Sequence, residues 1–583
     1  HGLYAANDRN YNYLGVRGFL RPGDYNSRIL IMVDGRRMND NIYDSANTGQ
    51  EFMLDMDLVD HIEFIPGPGS SLYGANAMMG VVNVISKKGS DINGLEVAGG
   101  IGSFNTNTER ATLGKAFDNG ADVLLSASRY YSNGPENLFY PEFNDPTTNN
   151  GIAHEGDAEN SRRLFGKVKY QDFTVTGGIV DRFKQVPTAS YGSIFNDPQD
   201  NTTDIWAFGE VKYDRKLNDK TSVELKAFFQ GYYYEAFFPY DNDPGVLVDR
   251  IVNFDASDGR WGGVEANLVT SAFKNQKLVV GVEYQYDLRQ HVYNYDISPY
   301  TQYQDDNRMG SRAGIYAQDD YWLRDDLIVS AGFRVDQNHM IDNLQFNPRL
   351  ALIWNPLKTT TVKLLYGSAF RAPNIYERDR GAPNPDNEEE HIRTYEGVVE
   401  WRPQDGVRLT GGIFRNEFTK LLSQDPVTFQ FVNTGKFTAN GVDLGAEKKW
   451  ANGRSLKGSF NHTLLYDESG GLSVWAVNAP RNVSKIQYAE PLFDGRAKLG
   501  IENVFVDERK TQQSTTASRY DLVNAILSSK EILPGADASF GVYNLFNAHP
   551  EMVGGAGAGV DDFLQDVVPM NGRNVLLKLQ YRF

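Results

Sequence analysis

In the last nine residues of the chain, Val575, Leu577, Leu579, Tyr581 and Phe583 share one face of an extended segment, while Lys578, Gln580 and Arg582 share the other. A period of two with one apolar and one hydrated face fits a strand between lipid and a wet lumen, but for one strand alone the half-buried edge strand of a soluble sheet is the favoured reading. Repetition favours the membrane. Residues 279–290 show the same pattern, with Val280, Val282, Tyr284, Tyr286 and Leu288 opposite Glu283, Gln285, Asp287 and Arg289. A face carrying that many charges does not pack in a dry core.

From about residue 93 onward, strand-like segments are joined by connections that alternate short and long. Short turns are expected at Asn119-Gly120, Gln171-Asp172, Leu217–Lys220, Asn275-Gln276, Arg324–Asp326, Pro356–Thr359, Pro403–Gly406, Ala451–Arg454, Leu492–Gly495 and Leu533–Ala536. They carry the Asn, Asp, Gly and Pro that tight turns require. Between them lie longer polar links, among them Asn133–Asn160, Gln185–Thr203, Phe238–Ser257, Val292–Arg308, Ala369–His391 and Asn547–Gly572. Short turns at one end and long loops at the other predict an all-β transmembrane barrel of about 22 antiparallel strands over residues 91–583. Such a barrel is too wide to be filled by its own side chains and needs a plug. Residues 1–90, with short apolar strands such as Ile29–Val33 and Val81–Ser86 between Gly-rich turns, are expected to be an α+β plug domain inside the lumen.

Composition narrows the function further. No run of about 18 apolar residues is present to form a membrane-spanning helix, so any spanning is done by strands. The 33 Phe, 32 Tyr and 7 Trp suit aromatic girdles at two interfaces. With no Cys there is no disulfide framework, thiolate metal site or Cys nucleophile. The net charge of −17 argues against a nucleic-acid partner, which demands a basic footprint. No nucleophile elbow, phosphate loop or zinc helix is found, which removes those enzyme classes.

Several longer motifs then stand out: Gly15-Val16-Arg17-Gly18, the strand Ile29–Gly35, and IEFIPGPGSSLYGANAMMGVVNVISKK from Ile62 to Lys88. Phe370-Arg371-Ala372-Pro373, Tyr395-Glu396-Gly397, Val432-Asn433-Thr434-Gly435 and Tyr543-Asn544-Leu545-Phe546-Asn547 follow. Through these the whole chain resembles the TonB-dependent outer-membrane receptors. The resemblance implies a monomer in the outer membrane of a Gram-negative bacterium, in contact with lipid and lipopolysaccharide. Its plug would be displaced by work from the TonB complex of the inner membrane. The TonB-contacting box and the first part of the plug are expected to lie outside these residues. One departure bears on plug docking: Pro66-Gly67-Pro68-Gly69 stands where the family carries Arg-Gly-Pro, which removes one expected ion pair to the barrel.

The implied function is import of a scarce nutrient complex without covalent chemistry, so no enzyme is expected, in agreement with the missing motifs. A ferric siderophore ranks first, ahead of cobalamin, haem, copper and an oligosaccharide; a passive porin would not need the plug. Haem receptors of the family carry a His between the Phe-Arg-Ala-Pro and Asn-Pro boxes, and Asn374–Pro383 contains none. Candidate ligand contacts are Arg21 and Tyr25 on the plug's apical turn, Arg36 and Arg37 after Asp34-Gly35, and Tyr233 and Tyr240 in the aromatic tract from Phe228. Tyr376, Arg378 and Arg380 join them on a later loop. Arg36 and Arg37 are equally suited to salt bridges with acidic barrel strands. Asp241 and Asp243 offer hard oxygen donors for calcium in an outer loop, as do Asp197 and Asp200. Six of the ten Met fall in the plug, where thioethers would suit Cu(I), but plug packing is the favoured reading.

Overall fold

The computed structural model describes residues 2–21, 23–241, 250–379, 383–425, 428, 430–554 and 565–583. They form a closed, antiparallel barrel of 22 strands with a small domain inside it. The first barrel strand, Gly94–Gly102, pairs with the last, Asn574–Arg582, with Leu576 opposite Gly102 and Arg582 opposite Glu96. Closure leaves no unpaired sheet edge in the hydrocarbon, which is the condition for strands to span lipid. Val474–Trp475 adds a short pairing at one end of Ser455–Asp467.

The period-two reading sets the faces. Val575, Leu577, Leu579 and Tyr581 are exposed on the outside, as are Val280, Val282, Tyr284, Tyr286 and Leu288. Their alternates turn inward: Lys578 reaches Asp57 of the plug, and Glu283 receives a hydrogen bond from Arg334 at 2.9 Å. Short turns fall where Asn, Gln and Gly predict them. Tyr170 pairs with Phe173 across Gln171-Asp172, with Gln171 left-handed at φ 53°, and Gly453 takes φ 87° between Phe431–Lys449 and Ser455–Asp467.

Two expected outer loops are mostly strand. Gln276–Ile297 and Tyr300–Arg324 pair until Ile297 faces Tyr300, so Val292–Arg308 is the top of a hairpin. Thr221–Asp241 and Arg250–Thr270 likewise run into the expected loop Phe238–Ser257. A membrane crossing takes about 9–11 tilted residues. The 25 residues of Tyr300–Arg324 therefore extend well beyond it, where water on both faces allows polar residues in a strand. Polarity in these segments reports distance from lipid, not loss of pairing.

The inner domain is built on a four-stranded sheet in the order Arg36–Arg37, Ile29–Val33, Gly80–Ser86, Val59–Pro66. Ile29–Val33 runs parallel to Gly80–Ser86 and is buried along its whole length, as expected for a parallel strand covered on both faces. A separate hairpin pairs Leu3–Asn7 with Asn12–Val16. Met38, Met53, Met78 and Met79 are buried in the core shared with the barrel wall, in keeping with a packing role. Phe19 stacks on Phe418 of the wall, ring centroids 4.6 Å apart, in the same core.

Charged groups fix the plug to the wall. Arg17 donates to Glu396 at 2.6 Å and to Asp443 at 3.0 Å, with its guanidinium 4.1 Å from the Phe414 ring. A Cβ on Gly67 would stand 3.9 Å from both Arg17 Nη1 and Glu396 Oε2. The cation missing from Pro66–Gly69 is thus matched by Arg17, and Glu396 keeps an ion pair to the plug. Lys167 of the wall similarly meets Asp34 at 3.0 Å.

Candidate ligand-binding recess

In the plug turn Asp24-Tyr25-Asn26-Ser27, the Ser27 N–H donates to the Asp24 carbonyl at 2.9 Å, and Tyr25 and Asn26 have φ 48° and 60°. Positive φ at both central positions is the type I′ arrangement. Asn tolerates it; a Tyr rarely adopts it. Asn26 stabilises the turn by receiving the Leu14 N–H at 2.8 Å and donating to the carbonyls of Asn12 and Ala46 at 2.9 and 2.8 Å. The neighbouring loop is organised by Asp40, whose carboxylate accepts the N–H groups of Ile42, Tyr43 and Ser45 at 2.7, 2.6 and 2.9 Å. Burial nevertheless pushes Asp40 up to about 6. This loop carries Tyr43, whose carbonyl receives Asn374 Nδ2 at 2.8 Å from the barrel.

Between these turns and the wall lies a recess of about 930 Å³, solvent at its mouth included. The plug contributes Tyr11, Tyr25 and Tyr43; the barrel contributes Tyr191, Tyr232, Tyr234, Tyr376 and Phe431. Tyr43 meets Tyr232 and Tyr234 edge to face at 6.4 and 6.2 Å and Tyr376 at 5.8 Å, an arrangement that suits the ring quadrupoles. Tyr25 lies 5.6 Å from Tyr11, and its hydroxyl contacts that of Tyr191. Burial, then the neighbouring Asp204, holds the Tyr11 phenol well above its usual range, and burial does the same for Tyr25. Both stay neutral donors.

The carboxylates at the recess are Asp24, Glu51, Asp255 and Glu377. The guanidiniums behind them are already matched. Arg28 joins Asp24 at 3.0 Å and Glu390 at 2.6 Å, and Arg371 joins Glu377 at 2.8 Å and Glu390 at 2.9 Å. Arg182 lies among Glu159, Asp204 and Glu51 at 2.7, 3.3 and 3.7 Å.

Of the residues singled out from sequence, Tyr25 and Tyr376 line this recess. Tyr233 does not: its hydroxyl donates to Glu235 on the outer face at 2.9 Å, while Tyr232 and Tyr234 face inward. A one-residue phase error in an aromatic run moves the choice to the opposite face. Tyr240 packs against the main core nearer the strand end. Arg21 is a clamp, donating to the Leu422 carbonyl at 2.6 Å and to Ser423 at 2.8 Å, and burial pushes it down to about 10.

Arg36 is buried over Phe228 at 3.7 Å, 3.8 Å from Glu210. Arg37 donates to the carbonyls of Tyr73 and Ala75 at 2.6 and 2.9 Å. Both are internal plug and wall contacts, closer to the salt-bridge alternative than to ligand contact. Arg378 donates to the Met340 carbonyl at 3.1 Å. Arg380 and Asp243 lie outside the described residues. Asp241 ends the strand Thr221–Asp241, and both oxygens of Asp197 receive Arg250, at 2.8 and 2.9 Å. Tyr11, Tyr43, Glu51 and Asp255 were not singled out from sequence. The two tyrosines sit in polar stretches of the plug that carry no motif, and Asp255 lies within the expected loop Phe238–Ser257.

A wide barrel closed by an internal domain, with its recess at the loop end, defines an occluded outer-membrane receptor. The chain belongs to the TonB-dependent receptors: residues 148–545 match the family described as TonB dependent receptor-like, beta-barrel, and residues 2–81 match the TonB-dependent receptor plug domain. Solved structures share the fold at low identity. The FrpB iron transporter from Neisseria meningitidis (F3-3 variant) is 16% identical with a TM-score of 0.76, over 100% of this chain and 95% of that one. The unliganded ferric citrate transporter FecA is 14% identical with a TM-score of 0.78, over 100% and 93%. The ferric enterobactin receptor PfeA from Pseudomonas aeruginosa, as a mutant, is 15% identical with a TM-score of 0.77, over 100% and 94%.

Proposed function

We propose that this receptor captures a ferric siderophore in the tyrosine-lined recess and imports it across the outer membrane with work delivered through TonB. The observation that carries this reading is that plug and barrel build the recess jointly. Tyr25 and Tyr43 come from plug turns, and Tyr191, Tyr232 and Tyr376 from the wall and its loops. A ligand that draws these two bodies together has different affinity for the plug's alternative positions, and only such a difference lets binding bias the plug. The named cargoes of FrpB, FecA and PfeA, iron, ferric citrate and ferric enterobactin, add support by analogy.

The test is native mass spectrometry with elemental analysis on protein purified from iron-limited and iron-replete cells. An iron chelate bound after limitation is the expected result. Iron-free protein carrying cobalamin, porphyrin, copper or saccharide would replace the siderophore while leaving the receptor in place.

A further inference from the structure

Among the described residues lining the recess there is no Lys or Arg; a ligand meets aromatic faces, carboxylates and the neutral side chains of Asn and Ser. The guanidiniums nearest to it are each held between two or more carboxylates, as the contacts of Arg28, Arg182 and Arg371 show. Glu51 is 2% exposed, and its Oε2 accepts no hydrogen bond and lies 3.7 Å from Arg182 Nε. The recess therefore has buried acceptors and π-faces without a free cation.

A polyanion entering such a site would lose its hydration without gaining a counter-charge, the costly case for charge burial. A cation would gain from both features, since tyrosine faces attract cations and the carboxylates around Arg28, Arg182 and Arg371 outnumber those guanidiniums. The Tyr11 and Tyr232 hydroxyls already donate to Asp204, at 3.1 and 2.9 Å, so an uncharged chelate meets the ring faces.

We propose that the recess selects a neutral or cationic complex over a polyanionic one. The fitting chemistry is an iron(III) tris(hydroxamate), in which three singly charged hydroxamates balance the metal and a pendant ammonium adds positive charge. This rests on the reading of the recess as the siderophore site, and it names the class of chelate that the site takes. Selectivity comes from exclusion as much as attraction: a tris(catecholate) or citrate complex of iron(III) is rejected by the excess of carboxylates over guanidiniums around the recess.

The test is equilibrium binding to the purified full chain in detergent by tryptophan fluorescence. The probes are the iron(III) complex of linear desferrioxamine B, a neutral cyclic tris(hydroxamate), iron(III) tris(catecholate) and ferric citrate, with metal-free organic cations alongside. The hydroxamates are expected to bind at least about tenfold tighter than either anionic chelate. Added salt should weaken the cationic probe more than the neutral one. Asp255→Asn should lower the cationic-to-neutral affinity ratio several-fold; the salt series on the unaltered protein gives the same reading if that variant does not fold.

Tighter binding of an anionic chelate overturns the charge selection and leaves the siderophore reading standing. Binding of metal-free cations with no iron complex bound removes the siderophore reading and keeps the charge selection. Failure of every cationic and neutral probe overturns the proposal.

Discussion

The hydroxyls of Tyr25 and Tyr191 meet across the boundary between plug and barrel, and both residues hold a left-handed backbone, φ 48° and 60°. Left-handed geometry costs a non-glycine residue about 1–2 kcal/mol, so two tyrosines in contact there mark a point where side-chain position is retained against local preference. Tyr25→Asn keeps a residue that tolerates the turn and removes the ring. We expect the folded plug to be retained and ligand affinity to fall about tenfold, read as a change in Kd with an unchanged melting transition. Loss of folding together with binding would make Tyr25 a structural residue.

Arg28 of the plug donates to both oxygens of Glu390 at 2.9 and 2.6 Å, and Glu390 is fully buried between it and Arg371. Glu390→Gln leaves two buried guanidiniums short of a partner. Breaking such a pair costs about 3–5 kcal/mol. In planar bilayers the variant should open to ion flow at lower urea than the parent; identical urea midpoints would show that the pair does not hold the plug.

Burial raises Asp40 from 3.8 to about 6 despite the three N–H groups it accepts. The folded plug then binds this proton more tightly than the unfolded chain. The group's contribution is full below about pH 4 and is lost as pH rises through about 6. Plug unfolding followed from pH 4 to 7 should show stability falling on the order of 2–3 kcal/mol from this source, a slope that Asp40→Asn removes. An equal slope in the variant would assign the effect elsewhere.

The outward face of the last strand gives a test of phase. Leu577→Arg puts a cation into lipid and should cost about 2–4 kcal/mol if it lies near the midplane. Lys578→Gln, one residue on and facing Asp57, should instead leave insertion into lipid vesicles unchanged and weaken only the plug contact. Equal insertion penalties for both would contradict the assigned faces.

By itself the chain's alternation determined the barrel, its strand number and which face of Gln276–Ile297 or Asn574–Arg582 meets lipid, because each strand's two solvents are written into neighbouring residues. The plug motifs determined the family for the same reason: they encode local turns and a buried parallel strand. Tertiary structure alone decided the recess. Tyr11 and Asp255 are 244 positions apart, and nothing local distinguishes an aromatic that lines a cavity from one that lines a wall. It also decided that Arg21, Arg36 and Arg37 are internal contacts, since a cation is free or matched according to which carboxylates and carbonyls long-range folding brings beside it.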